Sequence, residues 1–153
     1  ALGLQGPEAP PEKTKIPEEE LMNRIDYNDL NAKQQENYNF AKIASSLADF
    51  GYHCIKLSDD WNGADFIALH QDGSEMHVQL KSRITVDKKY LGKGLHVAFP
   101  NQGAWYVCPH DSLVEHVGAT TTWLSSAAWS EKGCYHAGSL SKQILRFLEA
   151  YRP

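Results

Sequence analysis

In the segment EMHVQLKSR (75–83), apolar and polar residues alternate strictly, so Met76, Val78 and Leu80 point one way along a strand and His77, Gln79, Lys81 and Arg83 the other. An amide oxygen and an ammonium two residues apart on one strand face are half of a site for a hard cation. A carboxylate would complete it, and Asp65 stands near the start of the preceding strand-like run, ADFIALH (64–70). Magnesium takes oxygen ligands, usually one or two carboxylates plus substrate phosphate. Lysine suits phosphate pairing or water orientation because its charge is a compact point. Glu36 offers a further carboxylate. It lies four residues before Phe40 and so continues an inward-facing helical stripe, where its charge needs compensation by a metal or by Lys81. Alternatively it is solvated in the first helical turn, where the helix dipole favours acids.

These side chains must be positioned by a helix and three strands. Asn31 is a plausible cap, and Phe40, Ile43, Ala44, Leu47 and Phe50 follow three-and-four spacing up to Gly51. Strand-like runs follow at 52–57 (YHCIKL), 64–70 and 75–83, with SDDWNG as a polar turn and Asp72-Gly73 as a tight reversal. A two-residue turn on Asp72-Gly73 would set Asp65 opposite Leu80, and therefore on the face away from Gln79 and Lys81. The cation site thus requires an odd-numbered loop or a bulge in this hairpin.

Two more β-like runs, LHVAF (95–99) and AWYVC (104–108), bracket the turn PNQG. HDSLVEHV reads as a short helix, TTTWLSSAAWSEKG as a further helical segment, and residues 134–137 as a brief strand. From Ser139 a final amphipathic helix carries Leu140, Ile144, Leu148 and Tyr151 on one face. The pattern predicts one mixed α/β (α+β) domain at 30–153, preceded by an acidic, extended and disordered tail at 1–29 that holds four of the seven prolines.

At 153 residues, 42% hydrophobic and 22% charged, the chain can bury a core without staples. No apolar run is long enough to span a membrane, and no basic start leads into an apolar segment. Ala1 stands where Met is absent, as processing or trimming would leave it. Three scattered cysteines, Cys54, Cys108 and Cys134, argue against a disulfide framework and suit a reducing cytoplasm. Zinc through Cys108, His110 and Cys134 lacks the usual ligand clustering. His77 either lines the cleft or is a surface histidine. Trp61 either flanks a groove or packs under its loop. Trp123 and Trp129 serve the core or a subunit interface.

The net charge of −4 comes entirely from the tail, where seven acids face three bases; the remainder carries twelve of each sign. Within that neutral body, Lys81, Arg83, Lys88, Lys89 and Lys93 face only Asp87 between positions 81 and 93. Such a strip either contacts phosphates or is a solvated loop. In the first case Arg83, Lys88, Lys89 and Lys93 hold the phosphates of a bound strand and Tyr90 stacks or donates a hydrogen bond.

GADFIAL followed after a hairpin by VQLKSR resembles the PD-(D/E)XK nuclease superfamily, in its variant with Gln at the middle acidic position. The family pattern of Asp, hairpin, then Glu or Gln, any residue, and Lys falls on Asp65, Gln79 and Lys81. The resemblance covers roughly 31–109. It departs at Ala64, where the named motif has Pro, and at Gln79, which removes a negative charge. It implies a restriction-endonuclease-like fold, with a helix before a three-stranded, hairpin-containing mixed sheet that is extended by two strands and flanked by C-terminal helices. It also implies a metal-dependent endonuclease acting on DNA. Asp65, Gln79 and the Leu80 carbonyl would hold Mg2+ or Mn2+, with Glu36 as the approximate helix-borne acid, and Lys81 would position or deprotonate water. A single site cuts one strand, so cleavage of both would need a homodimer or a partner subunit. Two other readings stay open: a nucleic-acid-binding domain of the same fold with a weak or absent metal site, and a protein-interaction or regulatory domain.

Overall fold

The first helix, α1 (Ala32–Ala48), is started by a reciprocal cap: the Asn31 side chain accepts from the Gln34 amide while Gln34 Oε1 accepts from the Asn31 amide, both at 2.9 Å. Ile43 and Leu47 are buried on its inner face. Phe50 does not continue that stripe as the spacing predicted. The helix stops at Ala48, the chain turns through Gly51 at φ +84°, and Phe50 is left 56% exposed. This computed structural model describes residues 3–11 and 13–153; Ala1, Leu2 and Glu12, part of the expected tail, lie outside the described residues. The described tail residues ahead of Asp26 are exposed, with one short turn at Glu18–Glu20.

Strands β1 (Tyr52–Trp61), β2 (Ala64–His70) and β3 (Glu75–Leu80) form an antiparallel meander. β1 is longer than its apolar pattern suggested, because SDDW continues the strand past a register shift between Lys56 and Trp61. The reversal falls instead on Asn62 and Gly63, at φ +51° and +90°. Gly63 also admits close packing: a Cβ there would lie 2.7 Å from Leu95 Cδ1. β3 ends at Leu80, so Arg83 is not on the strand; Lys81 still donates its amide to Ala98 O at 2.8 Å.

A short strand missing from the expected elements, β4 (Thr85–Asp87), follows, and a single turn at Lys88–Tyr90 leads on to β5 (Leu95–Asn101) and β6 (Ala104–Pro109). The main sheet has the order β1-β2-β3-β5-β6, with β3 and β5 parallel and the other neighbours antiparallel. Helix α2 (His110–Thr120) comes next, then a turn at Trp123–Ser125 and a wide turn at Ala128–Lys132 where one longer helical segment was expected. β7 (Cys134–His136) pairs with β4 as a second, two-stranded sheet, and α3 (Lys142–Leu148) follows. The fold is therefore of the expected α+β class, with a five-stranded mixed sheet between helices.

Packing divides between the two faces of that sheet. Ile43 and Leu47 of α1 meet Phe66, Ala68, Val78, Ala98 and Val107 on one face. On the other, Val97, Phe99 and Cys108 meet Ile84, Val86, Leu113, Val117, Trp123, Trp129 and Ile144, so both tryptophans serve the core. Trp61 packs under nothing and is 60% exposed. Among the described residues, no helix is long and apolar enough to cross a membrane.

Candidate active site

The β2–β3 hairpin decides whether the three chemical side chains can meet. Leu69 pairs with Glu75, and the His70 amide bonds Ser74 O at 2.8 Å, which leaves a three-residue loop, Gln71 to Gly73. Gly73 takes φ +90°, and Asp72 Oδ1 accepts from the Ser74 amide and hydroxyl at 2.8 and 2.6 Å. The odd loop sets Phe66 opposite Val78 and, one step further, Asp65 opposite Gln79. The alternation needed for a shared face is thus present.

Asp65, Gln79, Leu80 and Lys81 line one cleft of about 400 Å³, closed by Glu36 and Asn39 of α1 and by Tyr27. Asp65 Oδ2 accepts from the Leu80 amide at 2.8 Å. Burial pushes the Asp65 carboxyl above its ordinary range; the Leu80 hydrogen bond and Lys81 pull it down, while the charges of Asp60 and Glu36 push it further up. Gln79 is only 7% exposed, and its Oε1 is buried without a hydrogen-bond partner among the described residues. An orphaned amide oxygen is costly unless something cationic or donating meets it.

An amide oxygen, a carboxylate and main-chain carbonyls are all oxygen donors, a chemistry that fits a hard divalent cation and not a soft one. Among the described residues no three His, Cys, Asp or Glu side chains converge, so the set holds fewer charges than an all-carboxylate site. Cys108, His110 and Cys134 do not form a zinc site. The Cys108 thiol is pushed up to about 12 by burial, and His110 Nε2 accepts the Asp87 amide at 3.0 Å.

Glu36 stands at the cleft but is not neutralised by Lys81. It is half-exposed and lies 3.4 Å from both Lys33 and Lys56. Burial raises its carboxyl slightly, but the Lys33 hydrogen bond and the Lys56 charge outweigh that and leave it below the usual range. Lys56 comes from β1, a partner that helix spacing could not indicate. His77 lies 2.9 Å from Glu75 and does not line the cleft.

Lys81 Nζ sits 5.6 Å from the Tyr90 ring centroid, and Lys89 Nζ 5.1 Å from the same ring. Tyr90 is 4% exposed and its ring meets His110 edge-on, so no face is open to stack on a base, which corrects the stacking half of the expectation. Its role is to bridge two ammonium groups. Arg83, Lys88, Lys89 and Lys93 are exposed outside the cleft, with Lys88 Nζ 5.3 Å from the Trp129 ring.

Five cleft residues escaped sequence reasoning: Tyr27, Ala32, Gln35, Asn39 and Ser82. Asn39 left a signal, a polar residue beside the helix's apolar stripe. It is buried, and its Nδ2 donates to the Tyr27 hydroxyl at 2.9 Å. Tyr27 carries no comparable mark, since it sits within the expected tail.

No protein-family model matches the chain, and no curated protein matches it. Among solved structures, a Holliday junction resolvase of Archaeoglobus fulgidus, an archaeal hyperthermophile, is 13% identical, with a TM-score of 0.39 over 49% of this chain and 72% of the resolvase. The bacterial homing endonuclease I-Ssp6803I is 14% identical, with a TM-score of 0.46 over 80% of this chain and 86% of that one. At TM-scores below 0.5, neither overlap identifies a family.

Proposed function

We propose that this protein is a metal-dependent endonuclease of the PD-(D/E)XK type that hydrolyses phosphodiester bonds in DNA. The observation that carries the reading is the buried, unpartnered Gln79 Oε1 in one cleft with Asp65 and Lys81. Asp65, Gln79 Oε1 and the Leu80 carbonyl would hold Mg2+ or Mn2+, with Glu36 in reach only by giving up Lys33 and Lys56. A divalent cation supplies Lewis acidity at a phosphoryl oxygen and acidifies water. Lys81 holds the attacking water and offsets charge that builds on the phosphate. The exposed Arg83, Lys88, Lys89 and Lys93 engage flanking phosphates, which positions a strand without reading its sequence. Reversing charge at Lys88 and Lys89 should then weaken binding and flatten its salt dependence. Cutting both strands would take a second copy or a partner subunit, and the reducing compartment suggested by the cysteines is the cytoplasm.

One observation favours a second reading, a nucleic-acid-binding domain without turnover: amide replaces carboxylate at position 79, and no three acidic or imidazole side chains converge among the described residues. Supercoiled plasmid incubated with Mg2+ or Mn2+ separates the two. Nicking by the wild type that Asp65→Ala and Lys81→Ala both lose supports hydrolysis. Equal nicking by all three means a contaminating enzyme, and binding without nicking leaves the second reading.

A further inference from the structure

A second cavity, of about 510 Å³, adjoins the cleft, and Tyr27, Asn39 and Ser82 line both. Its chemistry differs from that of the first. Where the cleft offers carboxylate, amide and ammonium, this cavity presents the aromatic side chains of Tyr27, Tyr38 and Trp105, with Lys42 at its edge. Tyr38 is 41% exposed on α1, braced edge-on against Tyr27 with ring centroids 5.3 Å apart. Lys42 Nζ lies 5.3 Å from the Tyr38 ring centroid.

We infer that this cavity receives the base of an unpaired nucleotide next to the phosphodiester being cut. The substrate would then be DNA with a single-stranded or disrupted segment at the cleft, not an uninterrupted duplex. The inference rests on the nuclease reading and adds the substrate class to it. A duplex presents phosphates and groove edges outward and keeps the flat faces of its bases stacked inside. Aromatic side chains in a concave site gain little from such a ligand and much from a base already out of the stack. Lys42 lies over the Tyr38 ring, so a nucleotide would draw the ammonium onto its phosphate and take the ring face so freed for its base. The shared lining of Tyr27, Asn39 and Ser82 places that nucleotide next to the cleft that holds Asp65 and Lys81.

The test is fluorescence anisotropy in EDTA, so that it reads binding apart from cleavage. It compares a blunt duplex with a duplex of equal length that carries a single-stranded overhang, using the full chain. The wild type should bind the overhang at least about tenfold more tightly. Tyr38→Ala should lose that preference, by about tenfold for one lost stack, while Tyr38→Phe keeps it. Lys42→Ala should weaken both ligands and lower the salt slope by about one. Equal binding of the two ligands by the wild type, or an undiminished preference in Tyr38→Ala, would overturn the inference and leave the nuclease reading standing. Retained preference with no nicking by the wild type would sink hydrolysis and leave this site. No binding to either ligand would remove both.

Discussion

Asp65 Oδ2 accepts a 2.8 Å hydrogen bond from the main-chain amide of Leu80, so the carboxylate near the start of β2 is locked against the end of β3. This bond joins the strand that supplies the acid to the strand that supplies Gln79 and sits one residue from Lys81. It holds the carboxylate in a buried position that disfavours its charge, with Asp60 and Glu36 adding to the strain and Lys81 opposing it.

Asp65→Asn should therefore separate stability from function. A carboxyl raised above its ordinary value near 3.8 makes the folded state hold its proton longer than the unfolded chain does. Stability is then lost as pH rises from the unfolded value through the raised folded one, and Asn, which can still accept from Leu80, escapes that loss. In EDTA the variant should melt higher than the wild type at neutral pH, and the difference should vanish below the ordinary aspartate range. With Mg2+ added, the wild type should gain stability and the variant should not. Thermal melts across pH, with and without metal, check all three outcomes.

Gln79→Glu should move metal affinity and apo stability in opposite directions. A second buried carboxylate opposite Asp65 adds ligand charge, which should tighten Mg2+ binding about tenfold. Without metal it places like charges together in a nearly closed site, and the melting midpoint should fall, by roughly 2–4 °C for each kcal/mol lost. Calorimetric titration and melts in EDTA measure the two effects.

Lys81→Ala should lower single-turnover nicking by about 10²–10⁴-fold, the range for loss of a positioned proton-transfer group. Tyr90 is a positioning residue for that ammonium through its ring face. Tyr90→Phe should keep the rate within about twofold. Tyr90→Leu, which removes the π-face, should lower kcat more than it raises KM. A matched fall in stability across both Tyr90 variants would show packing alone.

Tyr27→Phe should cost about 1–3 kcal/mol in urea unfolding, because it leaves the buried Asn39 amide without its acceptor. Adding Asn39→Leu should recover part of that loss, since removing both polar partners is cheaper than orphaning one.

How far the sequence reached depended on the range of the contact. The capped helix at Asn31 and the alternation through Gln79 are written in neighbouring residues, and each is present. The odd loop at Gln71 to Gly73 was required by the cation site and not by Asp72-Gly73, which locally favours a two-residue turn. β4 was invisible because TVD is three residues long and its partner, Cys134–His136, lies far along the chain. Tyr90 looked like a surface ring within a lysine-rich loop, but Ala64 of β2 and Leu95 of β5 pack on it and α2 brings His110 against it, contacts from outside its own loop. Lys56 and Glu36 are similarly a pairing of strand with helix that neither local period encodes.

The hydrogen bond from Asn39 to Tyr27 also separates two quantities usually taken together, the shortest piece that folds and the shortest piece that works. Helix α1 is capped by Asn31 and Gln34 reciprocally, so a chain beginning at Asn31 would keep the cap and the apolar core while losing the Tyr27 acceptor of Asn39. It would lack a wall of the groove, which is carried by the short turn Tyr27–Asp29 just upstream. Limited proteolysis ahead of Asp26 should spare both, whereas a nick between Tyr27 and Asn31 should yield a fragment that still folds, less stably for the loss of the Asn39 acceptor, with one wall of the groove gone.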